Sequence, residues 1–142
     1  MALSDIRIVL VEPAHPGNIG AVARAMKTMD LSSLVLVRPK VFPAAEADRR
    51  AMGAIDILKA AKVVEDLGEA VGDCGLVIGS SARPRSFPHE MLDAKKCAAK
   101  LVEESGSGAA VALVFGPERM GLANQDLDRC TFQLQIPASS EF

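Results

Sequence analysis

Five short runs, Ile6–Val11, 34–37, 76–79, Ala110–Phe115 and 132–136, are rich in Val, Ile, Leu and Phe, and most are nearly continuous in apolar residues. A strand with one wet face alternates between apolar and polar side chains, whereas a strand covered on both faces does not. Strands of the second kind belong to parallel sheets flanked by helices. The intervals between the runs agree with this, because helical periodicity recurs over 19–29, 46–58, 67–71, 91–103 and 124–130, so strand and helix alternate as in βαβ units. The pattern predicts an α/β fold built on a mostly parallel sheet. Pro13, Pro16 and Gly17 separate the first strand from its helix, and Pro39 and Pro43 end the second; none of these breaks resembles a domain linker. With 142 residues, the expectation is one domain over 1–142.

Composition removes several functional classes. Sixteen basic residues stand against eighteen acidic ones, for a formal charge of −2, so no general positive field marks the chain for nucleic acid. Any RNA contact must be local. The absence of Trp and Tyr, with only five Phe, leaves little material for base-stacking platforms. Cys74, Cys97 and Cys130 are odd in number and widely spaced, which suggests neither a disulfide framework nor a zinc site, and His15 and His89 form no cluster with them. No metal is expected. There is no signal-peptide pattern and no apolar stretch long enough to span a bilayer, so a cytoplasmic protein without membrane attachment is expected.

Three segments that leave apolar strands carry polar chemistry. The first, Pro16-Gly17-Asn18-Ile19-Gly20-Ala21-Val22-Ala23-Arg24, opens a helix with Asn18 at an N-cap position. Ile19, Val22, Ala23 and Met26 share a core-facing stripe, while Gly20 and Arg24 share another face, where Gly20 clears space beside Arg24. An Arg near a helix N-terminus adds a planar fork to free N–H groups and suits a phosphate, although a solvated Arg on an ordinary helix fits the same spacing. The second segment, Gly116-Pro117-Glu118-Arg119-Met120-Gly121-Leu122, holds a Glu between two glycines, either a shaped loop whose carboxylate accepts hydrogen bonds or a plain turn. The third, Gly79-Ser80-Ser81-Ala82-Arg83-Pro84-Arg85, offers two hydroxyls and two forked cations, in a loop that is as readily solvated as functional. Neither a dinucleotide fingerprint nor a phosphate loop is present.

Taken in order, N-x-G-x-x-x-R from Asn18 to Arg24, G-P-E-x-x-G-L from Gly116 to Leu122, and a strand ending at Ile136-Pro137 resemble the three motifs of the SpoU-like branch of the SPOUT RNA methyltransferases. The text around Asn18 and Ser80 is similar to the TrmJ-like tRNA members of that family. The resemblance implies a trefoil-knot α/β fold, a homodimer, and transfer of a methyl group from S-adenosylmethionine to a ribose 2′-hydroxyl of RNA, leaving S-adenosylhomocysteine. For TrmJ-like members the target is the first nucleotide of the tRNA anticodon loop. It also implies catalytic roles for Asn18, Arg24 and Glu118, and cofactor contacts from Gly116, Gly121, Leu122 and Ile136, with Ser80 and Ser81 as further members of that pocket. RNA would be met by Arg24, Lys27, Arg83 and Arg85, with Arg38 and Lys40 adding too few cations to define a patch.

The family's third motif continues into a turn and a final helix that this sequence does not contain, so the expectation is a domain incomplete at its C-terminal end, lacking the knot helix. A guanidinium holds its proton too firmly to be an economical base, so Arg24 is expected to grip the phosphate beside the target ribose and to stabilise developing charge on oxygen. Two alternatives stay open: an RNA- or nucleotide-binding module of the same fold without methyl transfer, and a nucleotide-dependent α/β enzyme that places a phosphate at the Asn18 elbow.

Overall fold

The computed structural model describes residues 6–81, 90–92, 99, 103, 110–117, 122, 130 and 132–135. Strands β1 (Ile6–Val11), β2 (Ser33–Val37), β3 (Lys62–Val64), β4 (Cys74–Ser81), β5 (Glu90–Leu92), β6 (Ala110–Phe115) and β7 (Phe132–Gln135) form one sheet in the order β3-β2-β1-β6-β4-β7-β5. Every pairing is parallel. Among the described residues, the helices with defined bounds are α1 (Pro16–Thr28), α2 (Ala45–Ala51), α3 (Ile55–Ala60) and α4 (Leu67–Val71).

The continuous apolar runs have the meaning predicted for them. Within β1 and β2, Ile8, Leu10, Leu34 and Leu36 face one side and pack with Ile19, Ala23 and Met26 of α1 and with Ala47, Ile57 and Leu58 beyond it. Val9, Val11, Val35 and Val37 face the other side, with Leu67, Ala70 and Val71 of α4 and with Leu122 and Cys130. Successive strand residues point to opposite faces, so both faces must be apolar when both are covered. Each such side chain contributes about 1.5–3 kcal/mol on full burial.

Three sequence expectations need correction. The helix expected over 46–58 is two helices, α2 and α3, joined by a 3₁₀ turn at Met52–Ala54, because Met52 takes a positive φ of 50°. The apolar period runs on through that break, with Ala47, Ala51, Ala54 and Ile57 all buried, so the sequence pattern does not register it. The helix expected from residue 91 starts later: Glu90–Leu92 is the edge strand β5, while residues 99 and 103 are helical. Cys130 lies outside any helix, and the remainder of the helix expected over 124–130 falls outside the described residues. Strand β3 has no counterpart among the predicted elements; it is three residues long and its first two are exposed.

Candidate functional site

Four adjacent strands, β1, β6, β4 and β7, end at one edge of the sheet, and each leads toward a segment that the sequence marks. Leu10 pairs with Phe115, Gly79 with Val114, and Ser81 with Gln135. At the usual spacing between neighbouring strands, these four ends span roughly 15 Å. Between β1 and β6 the connections part: β1 leads to β2 on one side, while β6 leads past β4 to β7 on the other. Such a reversal leaves a crevice outside the carboxyl ends of the strands, the usual place for ligands of open α/β sheets.

On the β6 side, Gly116 and Pro117 are half-buried just past the strand end, and Ser80 is half-buried near the end of β4. Ser81 closes β4 in register with Gln135. Leu122 is 2% exposed and packs in the core cluster with Val9, Val11 and Val114, so its side chain anchors the end of the glycine-flanked loop. Glu118, Gly121, Arg83, Arg85 and Ile136 lie outside the described residues.

The β1–α1 elbow differs from expectation in three respects. Helix α1 begins at Pro16, whose fixed φ suits the first helical position, and the N-cap is His15 rather than Asn18. Asn18 is exposed within the first turn, its N–H donating to the His15 carbonyl at 3.0 Å. Because the helix starts early, Arg24 lies eight residues past Pro16, or ~12 Å along the axis. Its exposed guanidinium and the first turn of the helix are therefore separate features. Gly20, finally, clears space for α2 and not for Arg24: a β-carbon there would stand 2.2 Å from the Ala47 carbonyl oxygen and 2.8 Å from Arg50 Cβ. Lys27, also on α1, is paired across to α3 through a 2.9 Å contact between Nζ and Asp56 Oδ2, which holds the Asp56 carboxyl below its usual range.

Nothing in the sequence marks Glu12 and Arg38 as a pair, since neither residue type favours left-handed backbone. Both adopt it, with φ of 49° and 47°, one residue beyond β1 and β2. The Arg38 guanidinium donates through Nη2 to Glu12 Oε1 at 2.9 Å and through Nη1 to the Glu65 carbonyl. Left-handed backbone costs each non-glycine residue about 1–2 kcal/mol. An ion pair as exposed as this one returns at most about 1 kcal/mol. Arg38 is therefore engaged along the sheet edge.

At the opposite edge, Arg7 Nη1 and Nη2 clasp Asp73 Oδ1 and Oδ2 at 2.7 and 3.1 Å, and Nη1 also reaches the Ala70 carbonyl at 2.7 Å. The guanidinium holds the Asp73 carboxyl at a pKa of about 2. Burial pushes the neighbouring Cys74 thiol up, against the opposing pull of Arg7. A cavity of about 520 Å³ opens beside this pair, between the amino ends of the strands and α4. It lies away from the motif-bearing edge. No group of three or more metal-ligating side chains occurs among the described residues.

An open, all-parallel sheet whose marked loops leave adjacent carboxyl ends at a switch point defines an α/β protein of the carboxyl-edge ligand-binding class. The family follows from comparison with known proteins: the chain belongs to the SpoU rRNA Methylase family, whose sequence profile matches residues 5–142. Over 140 residues it is 52% identical to the tRNA (cytidine/uridine/adenosine-2′-O-)-methyltransferase TrmJ of Pseudomonas aeruginosa strain UCBPP-PA14, a match covering 99% of this chain and 54% of that protein. The chain thus spans about half the length of the curated relatives it matches. Among solved structures, a probable methylase family protein from Haemophilus influenzae Rd KW20 superposes with a TM-score of 0.91 at 45% identity, covering 99% of this chain and 59% of that one. TrmJ from Z. mobilis ZM4 follows with a TM-score of 0.88 at 34% identity, covering 96% and 60%. The SpoU methyltransferase AviRb from Streptomyces viridochromogenes, solved in complex with the cofactor AdoMet, shares the fold at 18% identity, with a TM-score of 0.66 and coverage of 94% and 48%.

Proposed function

We propose that this chain is the cofactor-binding catalytic domain of an RNA ribose 2′-O-methyltransferase that uses S-adenosylmethionine and acts on tRNA at the first nucleotide of the anticodon loop, in the cytoplasm and as a homodimer. The observation that carries the reading is the shared edge of β1, β6, β4 and β7, from which all the motif-bearing segments depart. The names of the relatives support the tRNA substrate. No helix among the described residues is long and apolar enough to cross a membrane.

The edge suits a nucleoside-type cofactor. Half-buried Gly116 and Pro117 present backbone groups past the end of the β6 ladder, and Gly116 has no side chain to block close approach. Ser80 adds a hydroxyl one strand away. These residues, with Ser81, Gly121, Leu122 and Ile136, would hold the cofactor, which supplies an activated methyl group when bound. The polar residues do the rest. Asn18 and Glu118 hold the reacting groups in place, and placement alone is worth several kcal/mol of a barrier. Arg24 grips a phosphate through its fork and stabilises negative charge developing on the 2′-oxygen, keeping its own proton throughout. Lys27, Arg83 and Arg85 extend the RNA contact.

The test is calorimetric titration of S-adenosylhomocysteine, together with transfer of a tritiated methyl group to tRNA, using the intact protein. Binding with transfer to a ribose 2′-oxygen is expected. Binding without transfer would replace this reading with an RNA-binding module, and preference for ATP or NAD would replace it with a nucleotide-dependent enzyme.

A further inference from the structure

The β1–α1 elbow is held from behind. The Glu12 N–H donates to the Val37 carbonyl at 2.7 Å and the Arg38 N–H to the Val64 carbonyl at 3.0 Å, so each residue prolongs its strand's ladder by one step. The Lys40 N–H reaches the Pro13 carbonyl at 3.2 Å and joins the two loops again. Glycine or asparagine would enter the same left-handed backbone with less steric conflict and would keep those N–H bonds. A glutamate at φ 49° and an arginine at φ 47° therefore need a reason in their side chains. The 2.9 Å contact between them, with Arg38 donating also to Glu65, ties the ends of β1, β2 and β3 together. The ion pair by itself adds little stability, since the carboxylate and guanidinium side chains are 42% and 38% exposed. Non-glycine residues held in left-handed backbone cluster at functional sites, and here two of them are tied to each other beside the candidate one.

We propose that Glu12 is a positioning residue for methyl transfer, with Arg38 as its anchor. The assignment rests on the functional reading above. Only Pro13, Ala14 and His15 separate Glu12 from the first turn of α1, and Pro13 is buried. Fixing Glu12 fixes the path of this short connection, and with it the direction of α1, which carries Asn18 in its first turn beside the carboxyl edge and Arg24 further along its axis. Neither member of the pair touches substrate; they act through α1.

The test compares Glu12→Asn, Arg38→Asn and the double variant with the wild type in the intact protein. Asparagine tolerates the left-handed backbone, so the melting temperature should hold or rise, and affinity for S-adenosylhomocysteine should stay unchanged. The kcat for tRNA methylation should fall by about 10- to 100-fold, as misplacement of a reacting group by an ångström does. Members of one positioning unit are not additive, so the double variant should lose no more than the worse single one. Should Glu12→Asn fail to fold, Arg38→Asn removes the same contact from the other side and carries the same expected loss. An active wild type whose variants keep kcat within about twofold, at unchanged stability, would overturn the positioning role alone. A wild type that transfers no methyl group would overturn the functional reading and this assignment together.

Discussion

Gly20 on α1 lies so close to Ala47 on α2 that a β-carbon at Gly20 would stand 2.2 Å from the Ala47 carbonyl oxygen. The obstacle is backbone and cannot rotate away, so Gly20→Ala must push the helices apart. We expect it to destabilise the protein by about 3 kcal/mol, at the upper end of overpacking costs. Gly17 is the internal control, because its nearest neighbour at 3.3 Å is the flexible Glu46 carboxylate. Gly17→Ala should stay within about 1 kcal/mol of the wild type, since the gain in helix propensity offsets a small side-chain shift. Urea denaturation of the two variants side by side checks the contrast, and equal losses would contradict the close approach.

The sheet was legible because apolar runs buried on both faces are hard to mistake: β1 and β6 have the predicted bounds and β2 differs by one residue. The edge strands β3 and β5 were not, since three residues carry too little pattern, and in β3 Lys62 and Val63 are exposed. Within α1 the core stripe of Ile19, Ala23 and Met26 was readable from its spacing. What covers the face bearing Gly20 was not, because periodicity gives direction but not identity of the neighbour. That the strands leading to the marked segments end side by side at one edge could be read only once strand order was known, as order depends on crossovers that no local pattern encodes. Glu12 and Arg38 were silent for a further reason: their backbone is imposed by the sheet edge against the preference of both residue types.

At the far edge, Arg7 holds Asp73 through two contacts, and the Asp73 carboxyl has a folded-state pKa of about 2 against an ordinary value near 3.8. A depressed carboxyl pKa gives stability that is complete above the unfolded value and lost as pH falls through the folded one. The Asp73 side chain is 68% exposed, so screening reduces the contribution to about 1 kcal/mol. Asp73→Asn should therefore be less stable by that amount at pH 7, with the difference shrinking below about pH 4 and closing near pH 2. Chemical denaturation of both proteins across this window decides it; curves that stay parallel would rule out the linkage.

Lys27 offers a test of the RNA face that leaves the catalytic residues intact. Its ammonium is paired with Asp56 at 2.9 Å, and both side chains are more than half exposed. Asp56→Asn releases Lys27 and removes one negative charge beside it. If Lys27 meets the RNA backbone, affinity for tRNA should rise about two- to fivefold at low salt, with the gain fading at high salt as counterions screen it. Filter binding at two ionic strengths measures this, and an affinity gain independent of salt, or none, would take Lys27 out of the interface.

Arg24 separates binding from chemistry most directly. It is exposed on α1, so Arg24→Lys should leave stability within about 0.5 kcal/mol of the wild type. An ammonium keeps the charge and its attraction for phosphate but cannot reproduce the planar two-pronged contact. The Lys variant should keep the salt dependence of tRNA binding while kcat falls by about 100-fold or more, the scale expected when a preorganised charge-stabilising donor is lost. Arg24→Gln should lose the same rate and also reduce the slope of log affinity against log salt by about 1. A Lys variant that retains most of its rate would mean that charge alone suffices, and neither the forked phosphate grip nor stabilisation of the 2′-oxygen by the guanidinium would survive.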